Sequence, residues 1–303
     1  MRKTMNKLLV TLIIPVLFPF VVKSQTDSLQ KSKPGIFYAI TGNELKDTSF
    51  LFGTYHLIKS EYLSKTPNVS RSFSKTKGVV VEMVTDSDGL VDLQIKSLLK
   101  NITLYELLEK PFLDSLDKEL MDVMGVGVSS LFRMKPANIS ALLSINYAMS
   151  TGGPEITKYG GMEMDGFFAD EGAKKEKTIT PLETMKEQID LLFLKQSDKE
   201  QAEELKMLLR NKQEMLKQSE LLTKSWFGND LEGIYQTYLA NTELAGNDDA
   251  LLKDRNIKWM TVLPALMKKQ GQFIAVGALH LAGPDGLVKR LEAAGYKVVS
   301  INL

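Results

Sequence analysis

The spacing of apolar residues changes several times along this chain, and each change marks the border of an element. "GIFYAI", Gly35 to Ile40, and "SFLFGTYHL", Ser49 to Leu57, are short apolar runs separated by the polar "TGNELKDT". Runs of this length around such a stretch predict two strands joined by a turn. "KGVVVEMV", Lys77 to Val84, is too continuously apolar for a half-exposed strand and predicts a buried one, with Glu82 near its C-terminal end. From Asp88 to Ser150 the spacing becomes helical, as in "LDSLDKELMDVMG", where Gly125 suits a helix stop. "GGMEMDGFFADEGAKKEK" predicts a further helix ending near Gly172, and "KTITPLET" a short strand and loop carrying Glu183.

Residues 185–225 place leucines three and four apart among many charges, the pattern of helices with a solvated face. A second amphipathic segment covers Gly246 to Lys269, with Asn247 as its expected cap. The end of the chain reads as strand "QFIAVGALH", helix "GPDGLVKRLEAAG" and strand "YKVVSIN", a βαβ-like unit. The sequence strand-G-x-x-H therefore occurs near both ends. An α/β fold follows: one domain over residues 25–303 with a central mixed sheet, the two G-x-x-H strands adjacent, and a large helical insertion around 185–270. Part of that insertion, Met185 to Leu222, is expected to lie over a crevice as a lid.

With 303 residues, 44% of them hydrophobic, the chain has enough material for such a core. Residues 1–24 differ in kind. Arg2, Lys3 and Lys7 precede the apolar run Leu8 to Val22, which is short for a bilayer span and ends in small residues. This is the pattern of a secretory signal peptide cleaved after Ser24, so the protein is expected to be exported, to the periplasm or outside the cell, and to meet a membrane through this segment alone. Its removal leaves 34 basic against 37 acidic residues, a balance of −3. No basic field remains to attract nucleic acid. The chain has no cysteine, which excludes a disulfide, a thiol nucleophile and a cysteine-ligated metal.

The candidate chemistry starts from the histidines, of which there are two, His56 and His280. A single histidine beside an apolar strand is ordinarily a hydrogen-bonded structural residue. Here the whole histidine content stands in one repeated frame, just past a strand's C-terminal end, where α/β sheets place ligands. The glycine three positions earlier permits a tight turn or a close backbone approach. His56 and His280 are therefore expected to converge. Glu82 is costly to bury without a partner and is the natural third member. Two imidazoles and a carboxylate leave open positions on zinc, manganese, cobalt or iron. There is no H-E-x-x-H, so the helix-based zinc peptidase plan is excluded.

The ordered set "GTYH", "VVVEM", "GMEMDGFFADEGAKKEKTITPLETMKEQ", "KDRNIKWM" and "VGALHLAGPDGLVKRLEAAGYKV" resembles the TraB/GumN family, which includes the Tiki proteases. The resemblance runs from about Gly35 to Asn302. It implies an α/β fold, similar to that of erythromycin esterases and ChaN-like proteins, in which both G-x-x-H motifs meet at one site. It also implies metal-dependent peptidase activity with a preference for manganese or cobalt. Carried onto this chain, it assigns His56, His280 and Glu82 to the metal, and adds Glu163, Asp165, Glu183, Arg255 and Asn256, with Asp254 where relatives often have glutamate.

Arg255 is suited to bind a substrate carboxylate or a developing oxyanion, the alternative being an intrahelical or surface ion pair. Glu183 is suited to orient a ligating histidine or to act as general base, the alternative being a cap on the next helix together with Thr184. Glu163 and Asp165 rank below these. The expected function is an exported metal-dependent hydrolase, with manganese, cobalt or zinc, acting on a peptide or small-molecule substrate. A sequestering protein that binds such a ligand without turnover, and a metal-independent His/Glu hydrolase, remain open alternatives.

Overall fold

A computed structural model of the chain describes residues 34–245 and 249–303, with side chains described outside 241–248. The described residues belong to one unit, Lys33–Leu303. The expected signal segment and the Asn247 cap lie outside the described residues.

The six strands are β1 (Phe37–Thr41), β2 (Ser49–Thr54), β3 (Gly78–Val81), β4 (Thr178–Pro181), β5 (Gln272–Gly277) and β6 (Lys297–Ser300). They form one sheet in the order β4-β3-β5-β2-β1-β6. The block β4-β3-β5-β2 is parallel throughout, and β1 is antiparallel to both of its neighbours, β2 and β6, so the sheet is mixed as expected. The two G-x-x-H strands, β2 and β5, are direct neighbours, with Gly53 opposite Val276 and Thr54 opposite Gly277. The C-terminal β-α-β is more open than its sequence suggests. Its crossover helix, Leu287–Ala293, carries the chain past β2 and β1 before β6 joins the far edge.

β3 is "GVVV" because it is covered on both faces, and all four of its residues are buried. On one face Phe52 and Phe273 meet rings from two helices, Phe73 of Pro67–Lys75 and Phe168 of Met164–Lys174. Phe168 and Phe273 have centroids 4.7 Å apart, and Phe73 stands edge-on to Phe273 at 5.4 Å. Such pairs add about 0.5–1.5 kcal/mol each beyond the area they bury. Leu51, Val80 and Ile274, which alternate with these positions, are equally shut from solvent.

The helical material is larger than the expected insertion and comes from two crossovers, between β3 and β4 and between β4 and β5. Together they build a second core, in which Leu116, Leu120, Ile139, Leu143 and Leu205 are fully buried. Two helices of the expected lid, Asp198–Arg210 and Lys212–Phe227, pack against Pro136–Thr151 within this layer. Among the described residues no helix is long and apolar enough to cross a membrane.

Candidate active site

Because β2, β3, β4 and β5 run in parallel, their C-terminal ends share one edge of the sheet. Each end carries a group singled out in the sequence: His56 two residues after β2, Glu82 directly after β3, Glu183 two residues after β4, and His280 in the short Ala278–Leu281 turn of helix after β5. This edge is where open α/β sheets place their ligands.

The two glycines of the repeated frame do different work, and neither has a positive φ. At Gly53 a Cβ would fall 2.9 Å from Ala278 Cα, so glycine there lets the β5 turn pack onto β2. At Gly277 a Cβ would meet side chains: Glu82 Oε1 at 3.2 Å, His280 Cδ2 at 3.8 Å and His56 Nε2 at 3.9 Å. Glycine at 277 thus leaves a notch around which all three expected metal residues gather.

Both imidazoles are anchored through Nδ1. His56 Nδ1 lies 2.8 Å from Asp165 Oδ2, and Thr54 Oγ1 donates to the other Asp165 oxygen at 2.7 Å. Asp165 stands in the first turn of Met164–Lys174. Its hydrogen bond is the main reason the His56 pKa is raised to about 9, helped by the charge of Asp165 and, more weakly, of Glu82 and Glu163, against an opposing effect of burial. His280 Nδ1 lies 2.8 Å from Asn256 Oδ1, while Asn256 Nδ2 donates to the His280 and Asp285 carbonyls. That amide orientation makes Nδ1 the protonated nitrogen of His280 and leaves a lone pair on Nε2. Burial lowers the His280 pKa to about 4, with Arg255 adding to the effect and Glu82 opposing it.

Arg255, in the helix Lys253–Met260, ties the strand ends together. Its Nε donates to both Glu183 oxygens at 3.0 Å, its Nη2 to Glu82 Oε2 at 2.6 Å, and its Nη1 to the Leu251 carbonyl at 3.2 Å and to His280 Nε2 at 2.9 Å. The guanidinium also lies over the Trp259 ring, 4.9 Å from its centroid, and Trp259 Nε1 donates to Glu183 Oε1. Burial alone would raise the Glu82 carboxyl. His280, Arg255 and the Gly277 amide, which donates to Oε1 at 2.7 Å, outweigh it and hold the group at about 2.

A cleft of about 730 Å³ opens beside this network. His56 and Glu82 form one part of its wall, and Met83, Val84, Ala169 and Ile179 give it apolar surface. Gln188, from the helix Met185–Phe193, reaches Glu82 Oε2 at 3.4 Å, so this first helix is the part of the expected lid that borders the cleft. His280 and Glu183, 3% and 6% exposed, stand behind the cleft wall with Arg255.

The sequence expectations sort accordingly. His56, Glu82, His280, Arg255 and Asn256 come together, and Asp165, ranked low, orients His56. Glu183 reaches this edge but touches neither imidazole, because both of its oxygens are engaged by Arg255 and one also by Trp259. Nor does it cap the next helix, since Thr184 pairs with Glu187 there. Glu163 is exposed at the cleft rim and pairs with Lys59 at 3.3 Å, and Asp254 is exposed. Trp259, which sequence reasoning missed, packs 4.3 Å from the His280 ring; its place four residues after Arg255, on the same helical face, was the available signal.

The donor set fits a divalent ion in residue type. Both imidazoles are anchored through Nδ1 beside an ionised carboxylate, but His56, with its pKa raised to about 9, carries at neutral pH an Nε2 proton that an ion would have to displace. In spacing the fit is conditional. Among the described residues no three such side chains are grouped to hold an ion as they stand, and the Nε2 lone pair of His280 is taken by Arg255.

The profile of the TraB/PrgY/gumN family matches residues 36–300, from just before β1 to the end of β6. No curated protein and no solved structure matches the chain.

Proposed function

The chain belongs to the TraB/PrgY/gumN family, and from that premise we propose that it is an exported metal-dependent hydrolase that cleaves peptides in the cleft beside Gly277. The reading is carried by one observation, the gathering of His56 Nε2 and Glu82 Oε1 around the notch at Gly277, on the cleft wall. Export is supported by the basic and then apolar pattern of the first 24 residues.

His56, Glu82 and His280 are the residues that would hold manganese, cobalt or zinc, and the ion when bound supplies a water of lowered pKa and polarises the scissile carbonyl. The remaining work falls to the chain. Asp165 and Asn256 hold the two imidazoles through Nδ1, and an ion would have to displace the Nε2 proton of His56 and the Arg255 contact to Nε2 of His280. Glu82, kept ionised by Arg255 and the Gly277 amide, faces the cleft as the anionic member of that set. The apolar stretch of the wall holds the substrate chain on either side of the reacting bond.

A second reading, hydrolysis without a metal, is favoured by the Arg255 contact to His280 Nε2. In that case protonated His56 steadies the oxyanion while Glu82 takes the proton. The two separate when the purified protein is incubated with a mixed peptide library in chelator and after return of each ion, with products read by mass spectrometry. Cleavage that is lost in chelator, restored by the ion and abolished by His56→Ala or Glu82→Gln is the expected result. Cleavage indifferent to chelator selects the metal-free reading. Peptides bound but intact under every ion overturn both and leave a binding protein.

A further inference from the structure

β4 ends the sheet on one side, so its outer edge pairs with no other strand among the described residues. Toward β3, the Thr178 amide donates to the Lys77 carbonyl at 3.1 Å and the Leu182 amide to the Val81 carbonyl at 2.9 Å, with Thr180 between them in the same register. The alternate residues, Ile179 and Pro181, therefore turn their backbone groups outward. The Ile179 N–H and the Ile179 and Pro181 carbonyls have no hydrogen-bond partner among the described residues. Sheet edges are commonly left to water, and Pro181 shortens this one. What sets it apart is its place, because Ile179 and Pro181 line the same cleft as His56 and Glu82. Beside the edge runs the Met164–Lys174 helix. Gly172 lets that helix lie directly on the sheet, since a Cβ there would fall 2.6 Å from Ile179 Cδ1 and 2.9 Å from Val79 Cγ2. Gly166, Ala169 and Ala173, spaced to share a helical face, also line the cleft. The result is a trough with free backbone groups along one side and short side chains along the other, the shape of a single extended chain.

We propose that the substrate is an unfolded peptide segment taken up as an added strand on the outer edge of β4. The Ile179 N–H donates to a carbonyl of the segment, and the Ile179 and Pro181 carbonyls accept from two of its N–H groups. Those two N–H groups are two residues apart whichever way the segment runs, because every second residue of a strand faces a given neighbour. Past Pro181 the edge ends, and the segment crosses the strand ends toward the Gly277 notch. β5 stands three strand spacings from the added strand, about 14 Å at ~4.8 Å per spacing, which an extended chain covers in about four residues. Recognition of this kind reads main chain rather than side chains, so a folded protein is a substrate only at a terminus or loop that can be drawn out.

This inference rests on the peptide-cleaving reading above, and two measurements separate them. The first takes a capped dodecapeptide that the protein cleaves and compares copies that each carry one N-methylated amide. Methylation at two positions, two residues apart and at least about four from the cleaved bond, is expected to lower kcat/KM about fivefold each, the loss of one hydrogen bond. The position between them should tolerate it. The second follows hydrogen exchange at the Ile179 amide in Glu82→Gln protein saturated with the unmethylated dodecapeptide, where exchange is expected to slow about tenfold or more. Cleavage indifferent to methylation beyond the third residue, or Ile179 exchange unchanged under bound peptide, overturns strand addition and leaves peptide cleavage standing. Slowed Ile179 exchange under library dodecapeptides that wild type binds but never cuts upholds strand addition and overturns the hydrolase. Dodecapeptides neither bound nor cut overturn both.

Discussion

The two G-x-x-H frames are alike in sequence, yet substituting alanine for the glycine of each should have opposite outcomes. At Gly277 the backbone, with φ −51° and ψ 136°, is open to any L-residue, so alanine brings no strain. Its Cβ would stand 3.2 Å from Glu82 Oε1 and within 3.9 Å of His56 Nε2. The carboxylate must give by a few tenths of an ångström, and the notch between the two donors is filled. The cost to stability is offset by the reduced freedom of the unfolded chain, about 0.4–1 kcal/mol in favour of alanine. Gly277→Ala is therefore expected to melt within a few degrees of wild type. Its kcat/KM for a cleaved peptide should fall clearly below wild type, because the new methyl occupies the space between the two donors and moves the carboxylate out of line.

Gly53→Ala is the internal control. There the new Cβ meets Ala278 Cα at 2.9 Å and Ala278 Cβ at 3.0 Å, and backbone cannot swing aside as a side chain can. Overpacking of this kind costs about 1–3 kcal/mol, which for a domain of this size lowers the melting temperature by roughly 2–4 °C per kcal/mol. Circular dichroism melting and peptide cleavage on both variants decide the matter. A fully active Gly277→Ala would refute the notch as the reaction centre. A Gly53→Ala as stable as wild type would refute the close approach of the two strand ends.

Asp165→Asn keeps a side chain of the same shape but removes the charge that holds His56 Nδ1, so ion affinity is expected to fall roughly 10–100-fold, and calorimetry showing less than a twofold change would count against that role. Glu183→Ala leaves Arg255 Nε and the buried Trp259 indole N–H without an acceptor while Glu82 still pairs with the guanidinium, and urea unfolding is expected to show a loss of about 1–3 kcal/mol; a loss below about 1 kcal/mol would show that these contacts are not structural. In chelator, stability is expected to peak near pH 6.5, the ordinary value of both imidazoles. His56, raised to about 9, contributes fully below 6.5 and loses its contribution as pH rises through 9, whereas His280, lowered to about 4, costs stability as pH falls from 6.5 through 4. Because the His56 side chain is 66% exposed, solvent screening keeps its alkaline limb at about 1 kcal/mol or less. His56→Ala should flatten that limb in a series of urea midpoints, and a limb unchanged in this variant would contradict the assignment.

The strand ends were legible because each apolar run stops at a polar group, and stacking such runs in parallel aligns their stops along one edge. His56, Glu82 and His280 were found at such stops, the histidines helped by their repeated frame, and Glu183 was added by the family resemblance. What faces them was not legible. Asp165 lies 111 positions from the Thr54 that holds it, and Arg255 lies 72 from Glu183. No local spacing records a contact at that range. The second core was hidden for a related reason: leucines three and four apart look the same whether they pack on a sheet or on another helix, as Leu116 and Leu205 do. The histidines show where the line falls between the two kinds of information. Identical frames deliver both imidazoles from neighbouring strands of one sheet. Their charge is decided elsewhere, by a carboxylate of the Met164–Lys174 helix that raises one to about 9, and by burial beside a guanidinium of the Lys253–Met260 helix that lowers the other to about 4. The motif fixes position and the surrounding helices fix protonation, so a chemistry read from the motif alone treats as equivalent two groups that the fold has driven apart.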